Sequence, residues 1–163
     1  MLSISLSSCS IFMGADSDSK IPVLRNLSGK TADLTNLKGT YTLLHFWSSW
    51  CPACKHELLM LQNLERMTDR KNLRILTVAI ESVEADVREI RENYNIHLDI
   101  FMDRNEAAKN YFQIPEVPLT ILIDKNGRKV KFSEPDSGKT VLRTKGPQSW
   151  DRPEVVKYFK SLP

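Results

Sequence analysis

Long apolar runs are missing from this chain. None of its hydrophobic stretches approaches the ~20 residues that a helix needs to cross a bilayer. An excess of one charge sign is missing too. Its 23 Lys and Arg residues stand against 20 Asp and Glu, and the resulting +3 is too balanced for the basic face that binds nucleic acid, so no nucleic-acid partner is expected. Cysteine is scarce, with three in 163 residues. That excludes a disulfide framework. It also leaves no second cysteine pair to complete a four-ligand zinc site, for which only His45, His56 and His97 remain. No internal repeat and no long linker is present. Hydrophobic residues make up 41% and charged residues 26%, the balance of a soluble globular protein. The length fits one domain that buries about two-thirds of its unfolded surface.

Residues 1–20 read as a leader remnant or tether, and residues 21–163 as the domain. Leu6-Ser7-Ser8-Cys9 resembles a lipobox, the sequence at which bacterial lipoproteins are cleaved and acylated. Cys9 is therefore a candidate lipidation site, with Ile11 to Lys20 as a polar tether. No Lys or Arg precedes Cys9, and eight residues are short for the apolar part of a leader. Either the true start lies upstream, or Cys9 is a free cysteine in a loose terminus.

Within the domain, Leu24 to Leu37 carries the turn signal Ser28-Gly29-Lys30 between short apolar stretches, which predicts a hairpin. Tyr41 to Trp47 is almost continuously apolar, as in a strand buried on both faces. Cys51 to about Arg70 predicts a helix, with Met60, Leu64 and Met67 at i, i+4 and i+7 and Leu61 beside them. Leu73 to Ile80 predicts a second buried strand. Ser82 has the chemistry of an N-cap for a following helix, whose face Val83, Val87, Ile90 and Tyr94 would form. Asp103 and Glu106 have capping-box spacing before a short helix ending near Phe112. Thr120 to Asp124, the turn Asn126-Gly127 and Lys129 to Phe132 predict a hairpin with positive φ at both turn residues. Ser133 to Gly138 predicts a loop, Val141 to Thr144 a segment rejoining the sheet, and Pro153 the first turn of a last helix carrying Val155, Phe159 and Leu162. The alternation of strand and helix predicts an α/β architecture, a central mixed sheet with helices on both faces and an N-terminal β extension.

Cys51 and Cys54 lie three positions apart at the start of a helix, directly after a buried strand. A thiolate at Cys51 meets unpaired N–H groups and the positive end of the helix dipole. A free cysteine, with a pKa of about 8.5, is roughly 3% thiolate at pH 7; lowering the pKa to about 7 raises that to roughly half. Cys54, one turn on, is placed to attack a mixed disulfide from within the chain. Cys51 is thus the expected nucleophile and Cys54 the resolving thiol. Pro52 suits a first helical turn because its missing N–H would be unpaired anyway. Trp50 is expected to shield one side of the pair, and no metal or other cofactor is required. A cysteine peroxidase would need a proline where Leu44 stands.

The segment His45-Phe46-Trp47-Ser48-Ser49-Trp50-Cys51-Pro52-Ala53-Cys54 resembles the active-site strand and turn of the thioredoxin superfamily. The longer pattern, from Asn26-Leu27-Ser28-Gly29-Lys30 to Gly146-Pro147-Gln148-Ser149-Trp150-Asp151, is similar to its TlpA/ResA branch of thiol–disulfide oxidoreductases. The resemblance implies a thioredoxin fold. It implies that Val117-Pro118 is a cis bond facing the cysteines, where the backbone binds substrate; Pro115 fits that position less well. It matches Glu81 to an acidic residue that assists proton transfer near the cysteines, the alternative being a solvated strand end. His45 stands where thioredoxin has a buried aspartate. It reads either as a proton relay to Cys54 or as a satisfied core histidine.

The resemblance further implies a monomer in the bacterial periplasm or at the extracytoplasmic face of the membrane. There such proteins reduce protein thiol/disulfide substrates, in cytochrome c maturation or copper-site assembly, and are recharged by a membrane electron donor. A copper(I) metallochaperone using the same two soft thiolates is the alternative. The stretch Glu134 to Thr140 departs from the simplest family members.

Overall fold

The computed structural model describes residues 22–163; the Cys9 lipidation site and the tether lie outside them. Strand β3 (Tyr41–Trp47) is the centre of the sheet. It runs parallel to β4 (Leu73–Ala79) and antiparallel to β6 (Leu119–Ile123). Beyond β4 come β5 (Asp99–Met102), parallel, and then β1 (Val23–Asn26) and β2 (Thr31–Asp33), which pair as the expected hairpin. On the other side, β10 (Arg143–Lys145) and β7 (Lys129–Val130) both pair with β6.

Every residue of β3 after Tyr41 is buried, because both faces of the sheet are covered. Leu43 and Trp47 face one core with α1 (Pro52–Met67), α2 (Glu84–Asn93) and α4 (Pro153–Lys160). Leu44 and Phe46 face another with α3 (Ala107–Phe112) and the entrance residues Leu24, Leu34 and Leu37. The β3–α1–β4–α2–β5 order makes two parallel crossovers, each carrying a helix to the same face.

Four local readings are corrected by tertiary contacts. The buried face of α1 is Cys54, Glu57, Leu58, Leu61 and Leu64, and Met67 is exposed. Ser82 does not cap α2; its Oγ accepts from Ser49 N and donates to the Ile80 carbonyl. Val83 and Tyr94 are exposed, and only Val87 and Ile90 of the predicted face are buried. The strand expected over Lys129 to Phe132 breaks at Lys131: β7 stays on the main sheet, while β8 (Phe132–Ser133) pairs with β9 (Thr140–Val141).

The turn after β6 also differs from expectation. Register runs Ile123 against Lys129, and Asp124 N–H bonds the Arg128 carbonyl, leaving a three-residue loop. Gly127 has φ +82, whereas Asn126 is not in the left-handed region. This is a type I turn closed by a left-handed residue rather than a two-residue turn. The Asp124 carboxylate selects it by accepting from Asn126 N and Arg128 N, each at 2.9 Å.

Gly127→Ala is accordingly expected to lower stability by about 1 kcal/mol, since only its φ is restricted, and Asn126→Ala by less. Urea unfolding of both variants checks this; equal costs would restore the two-residue turn.

Candidate active site

The register of β3 decides where the cysteines sit. Its last residue, Trp47, lies beside Ala79 of β4, and Phe46 lies beside Leu119 of β6. The loop Ser48–Trp50, the end of β4 and the residues before β6 therefore meet at one edge of the sheet. Ser48 Oγ donates to the Ile80 carbonyl at 2.7 Å, Ser49 N donates to Ser82 Oγ at 2.9 Å, and Cys51 N donates to the Ser48 carbonyl at 3.1 Å. These bonds tie the loop to the end of β4 and aim the chain into α1.

Cys51 is the N-cap of α1, with extended backbone, and Pro52 follows as the first helical residue. Cys54 N donates to Cys51 Sγ at 3.2 Å, so the sulfur fills the role that a Ser or Asp oxygen plays at most helix starts. No acidic side chain lies in this first turn. A negative charge on Cys51 would thus face helix N–H groups with no carboxylate competing for them. The two cysteines form a disulfide. They differ in access: Cys51 retains 6% of its surface and Cys54 none.

The Val117–Pro118 bond is cis. Pro118 precedes β6 at the same sheet edge, and Val117 packs against the core that contains both cysteines. Trp50, 61% exposed, stands between two clefts. One, of about 560 Å³, is bounded by Ser49, Lys55, Val83, Glu89 and Tyr94. The other, of about 70 Å³, is bounded by Ile80, Ile114, Pro115 and Val117. Trp50 is a wall of both.

Glu81 is not the buried carboxylate the sequence reading requires. It sits at the end of β4 with φ +48, its side chain is 41% exposed, and it is ion-paired with Lys109.

Glu57 has that burial instead. It lies one turn beyond Cys54 on the same face of α1, with no exposed surface. Its Oε1 accepts from Gln148 N at 2.9 Å and from Trp150 Nε1 at 2.6 Å, while its Oε2 has no partner. Burial pushes its pKa up to about 7, against the opposing pull of the two N–H donors. The sequence contains the signal: position 57 falls on the stripe 54, 58, 61, 64.

His45 is fully buried, on the same face of β3 as Leu43 and Trp47. Its Nδ1 is 2.9 Å from Thr120 Oγ1 and its Nε2 has no partner. Burial lowers its pKa to about 3. A ring this reluctant to protonate is a poor proton acceptor near neutral pH, so it fits the core-histidine reading better than the relay. Among the described residues, no three His, Cys, Asp or Glu side chains come together as a metal site.

The profile of the AhpC/TSA family matches residues 18–132. The thiol-disulfide oxidoreductase ResA of Geobacillus thermodenitrificans is 30% identical over 110 residues, 68% of this chain and 63% of that protein. ResA of Bacillus subtilis is 27% identical over 115 residues, 71% of this chain and 64% of that protein. The chain thus matches less than two-thirds of the length of these curated relatives. StoA from Bacillus subtilis superposes with a TM-score of 0.64 at 23% identity, over 83% of this chain and 93% of that one, which shows a shared thioredoxin-type fold.

Glu57 and His45 give stability opposite pH dependences. Unfolded Glu57 ionises near 4.5, folded Glu57 near about 7. Folding takes up a proton between these values, so stability falls as pH rises through them, by up to about 3 kcal/mol. Unfolded His45 protonates near 6.5, folded His45 only near about 3. Its contribution is lost as pH falls below 6.5. In the disulfide form, Glu57→Gln is expected to remove the decline in urea stability between about pH 5 and pH 8. An unchanged slope would mean that Glu57 is already ionised in the fold at the lower pH.

Proposed function

The chain belongs to the AhpC/TSA family, and from that premise we propose that it is a thiol–disulfide oxidoreductase of the ResA type acting on protein substrates. The observation that carries this reading is a disulfide at a helix N-terminus whose two residues differ in access, Cys51 keeping 6% of its surface and Cys54 none. The names of the curated relatives agree with it.

In the reducing direction, the Cys51 thiolate attacks a substrate disulfide. One Cys51–substrate S–S bond forms, the substrate's own S–S bond breaks, and one substrate thiolate leaves. The Cys54 thiol then gives its proton to Glu57, which is about half ionised near pH 7. The Cys54 thiolate attacks Cys51 Sγ, the Cys51–Cys54 bond closes, and the second substrate thiolate leaves. Two electrons pass to the substrate, and each departing thiolate takes up one proton. Trp50, Pro52, Val117 and Pro118 are assigned to the substrate face, with the backbone before β6 receiving the substrate as an added strand. No metal or organic cofactor enters this scheme.

By the same likeness the protein works in the bacterial cell envelope. There it keeps thiols reduced for cytochrome c maturation or copper-site assembly, and a membrane electron donor regenerates it. No helix among the described residues is long and apolar enough to cross a membrane.

Cys51→Ala is expected to abolish reduction of a protein disulfide, whereas Cys54→Ala accumulates mixed disulfides visible on non-reducing gels. Equal trapping by both variants would overturn the division of roles. The reduction potential of the pair, by equilibration with glutathione, is expected near the roughly −270 mV of thioredoxin; a value near roughly −120 mV would reverse the direction of electron flow.

A further inference from the structure

The stretch 134–140 now has a physical account. It closes the β8–β9 hairpin with Glu134 N donating to the Lys139 carbonyl at 2.8 Å and Gly138 N to the Glu134 carbonyl at 2.9 Å. This turn presents Asp136 to residues 148–152. Asp136 N donates to Gln148 Oε1 at 3.2 Å, Asp136 Oδ1 accepts from Ser149 N at 3.3 Å, and Arg152 Nη2 lies 3.3 Å from the same oxygen. Gln148 N and Trp150 Nε1 are the two donors that hold Glu57 Oε1. An unbroken run of bonds therefore joins the inserted turn to a carboxyl one helical turn from Cys54.

We propose that Asp136 is a positioning residue for Glu57: the inserted turn fixes the Gln148–Trp150 strap so that its N–H groups occupy one carboxyl oxygen and leave the other free to exchange a proton with Cys54. The inference rests on the thiol–disulfide exchange proposed above. Its physical basis is a balance at a buried site. The two N–H donors favour the carboxylate, while burial and the charge of Asp136 favour the protonated acid. The other titratable groups near the carboxyl are accounted for. Cys54 shares its face of α1. His45, from β3, is neutral above about pH 3. Arg152 is paired with Asp136, and Asp151 accepts from Asn63 Nδ2 on α1. Among these, Asp136 is the ionised group whose charge acts on Glu57.

A purely structural role makes a different prediction. Trp150 also stacks on Phe132 and meets Phe159, so a strap that only seals the core would affect stability alone. The test is stopped-flow reaction of the reduced full chain, carrying Cys9→Ser so that only Cys51 and Cys54 remain as thiols, with 5,5′-dithiobis(2-nitrobenzoate). The first thionitrobenzoate released reports Cys51, and the second reports attack by Cys54. The pH midpoint of the second phase is the readout. Asp136→Asn keeps an acceptor for Ser149 N, removes the charge, and lies at a half-exposed position that leaves folding intact. It is expected to move the midpoint down by roughly half a unit. Trp150→Phe removes one donor and is expected to move it up by roughly one unit. Both midpoints at the wild-type value, or shifts of the same sign, would overturn the proposal even if melting temperatures fall. If wild-type protein shows no second phase, the exchange reading itself fails. If Glu57→Gln keeps the wild-type midpoint, Glu57 is not the proton partner and the positioning proposal falls with it.

Discussion

The first turn of α1 carries peptide N–H groups that no helical carbonyl can satisfy, and much of the structure is arranged around what meets them. Cys51 Sγ takes one. Pro52 removes another by having none to offer. The first turn has no acidic residue to claim the rest. For the deficit to act on Cys51, the helix must start within a few residues of the sheet and must not shift. Strand β3, buried on both faces, supplies the fixed point, and the Ser48 and Ser49 bonds to Ile80 and Ser82 hold the short link.

Behind the sulfurs, one physical cause acts in two directions. Burial disfavours charge, so it lowers the pKa of His45 and raises that of Glu57. Both groups are at least half neutral near pH 7, and the layer between β3 and α1 then holds little fixed charge. Proton movement there falls to the group whose pKa lies near neutrality. That group is Glu57, because two N–H donors partly offset its burial, whereas His45 has only the Thr120 hydroxyl.

The parts legible in the sequence were those set by period and by local rules. The apolar run of β3 gave the strand bounds to the residue, and the alternation of strand and helix gave the α/β class. The cysteine spacing placed the pair at a helix start, and Pro118 was located by likeness. What was not legible depends on contacts between distant segments. Glu57 falls on the buried stripe of α1, but Glu is mostly solvated, and its spacing does not show that Gln148 and Trp150 come over it. Ser82 has N-cap chemistry, but Ser49 arrives from another loop and takes its hydroxyl. Asn126-Gly127 signals a turn without fixing its length, which Asp124 decides. Glu81 was matched by likeness to an acidic residue near the cysteines, and its ion pair with Lys109, 28 residues away in sequence, fits the solvated strand end instead.

The rims of the sheet bear on a different matter. They are short: β2 has three residues, β10 three and β7 two, with Arg143, Lys145 and Lys129 along one side. Strands this brief and this charged are poor templates for another chain. A long, apolar sheet border would pair with any exposed β-prone segment it met. Blunt rims close that route at both borders of the sheet. The same economy at the borders that limits the sheet's size guards the protein against aggregation through its own edges.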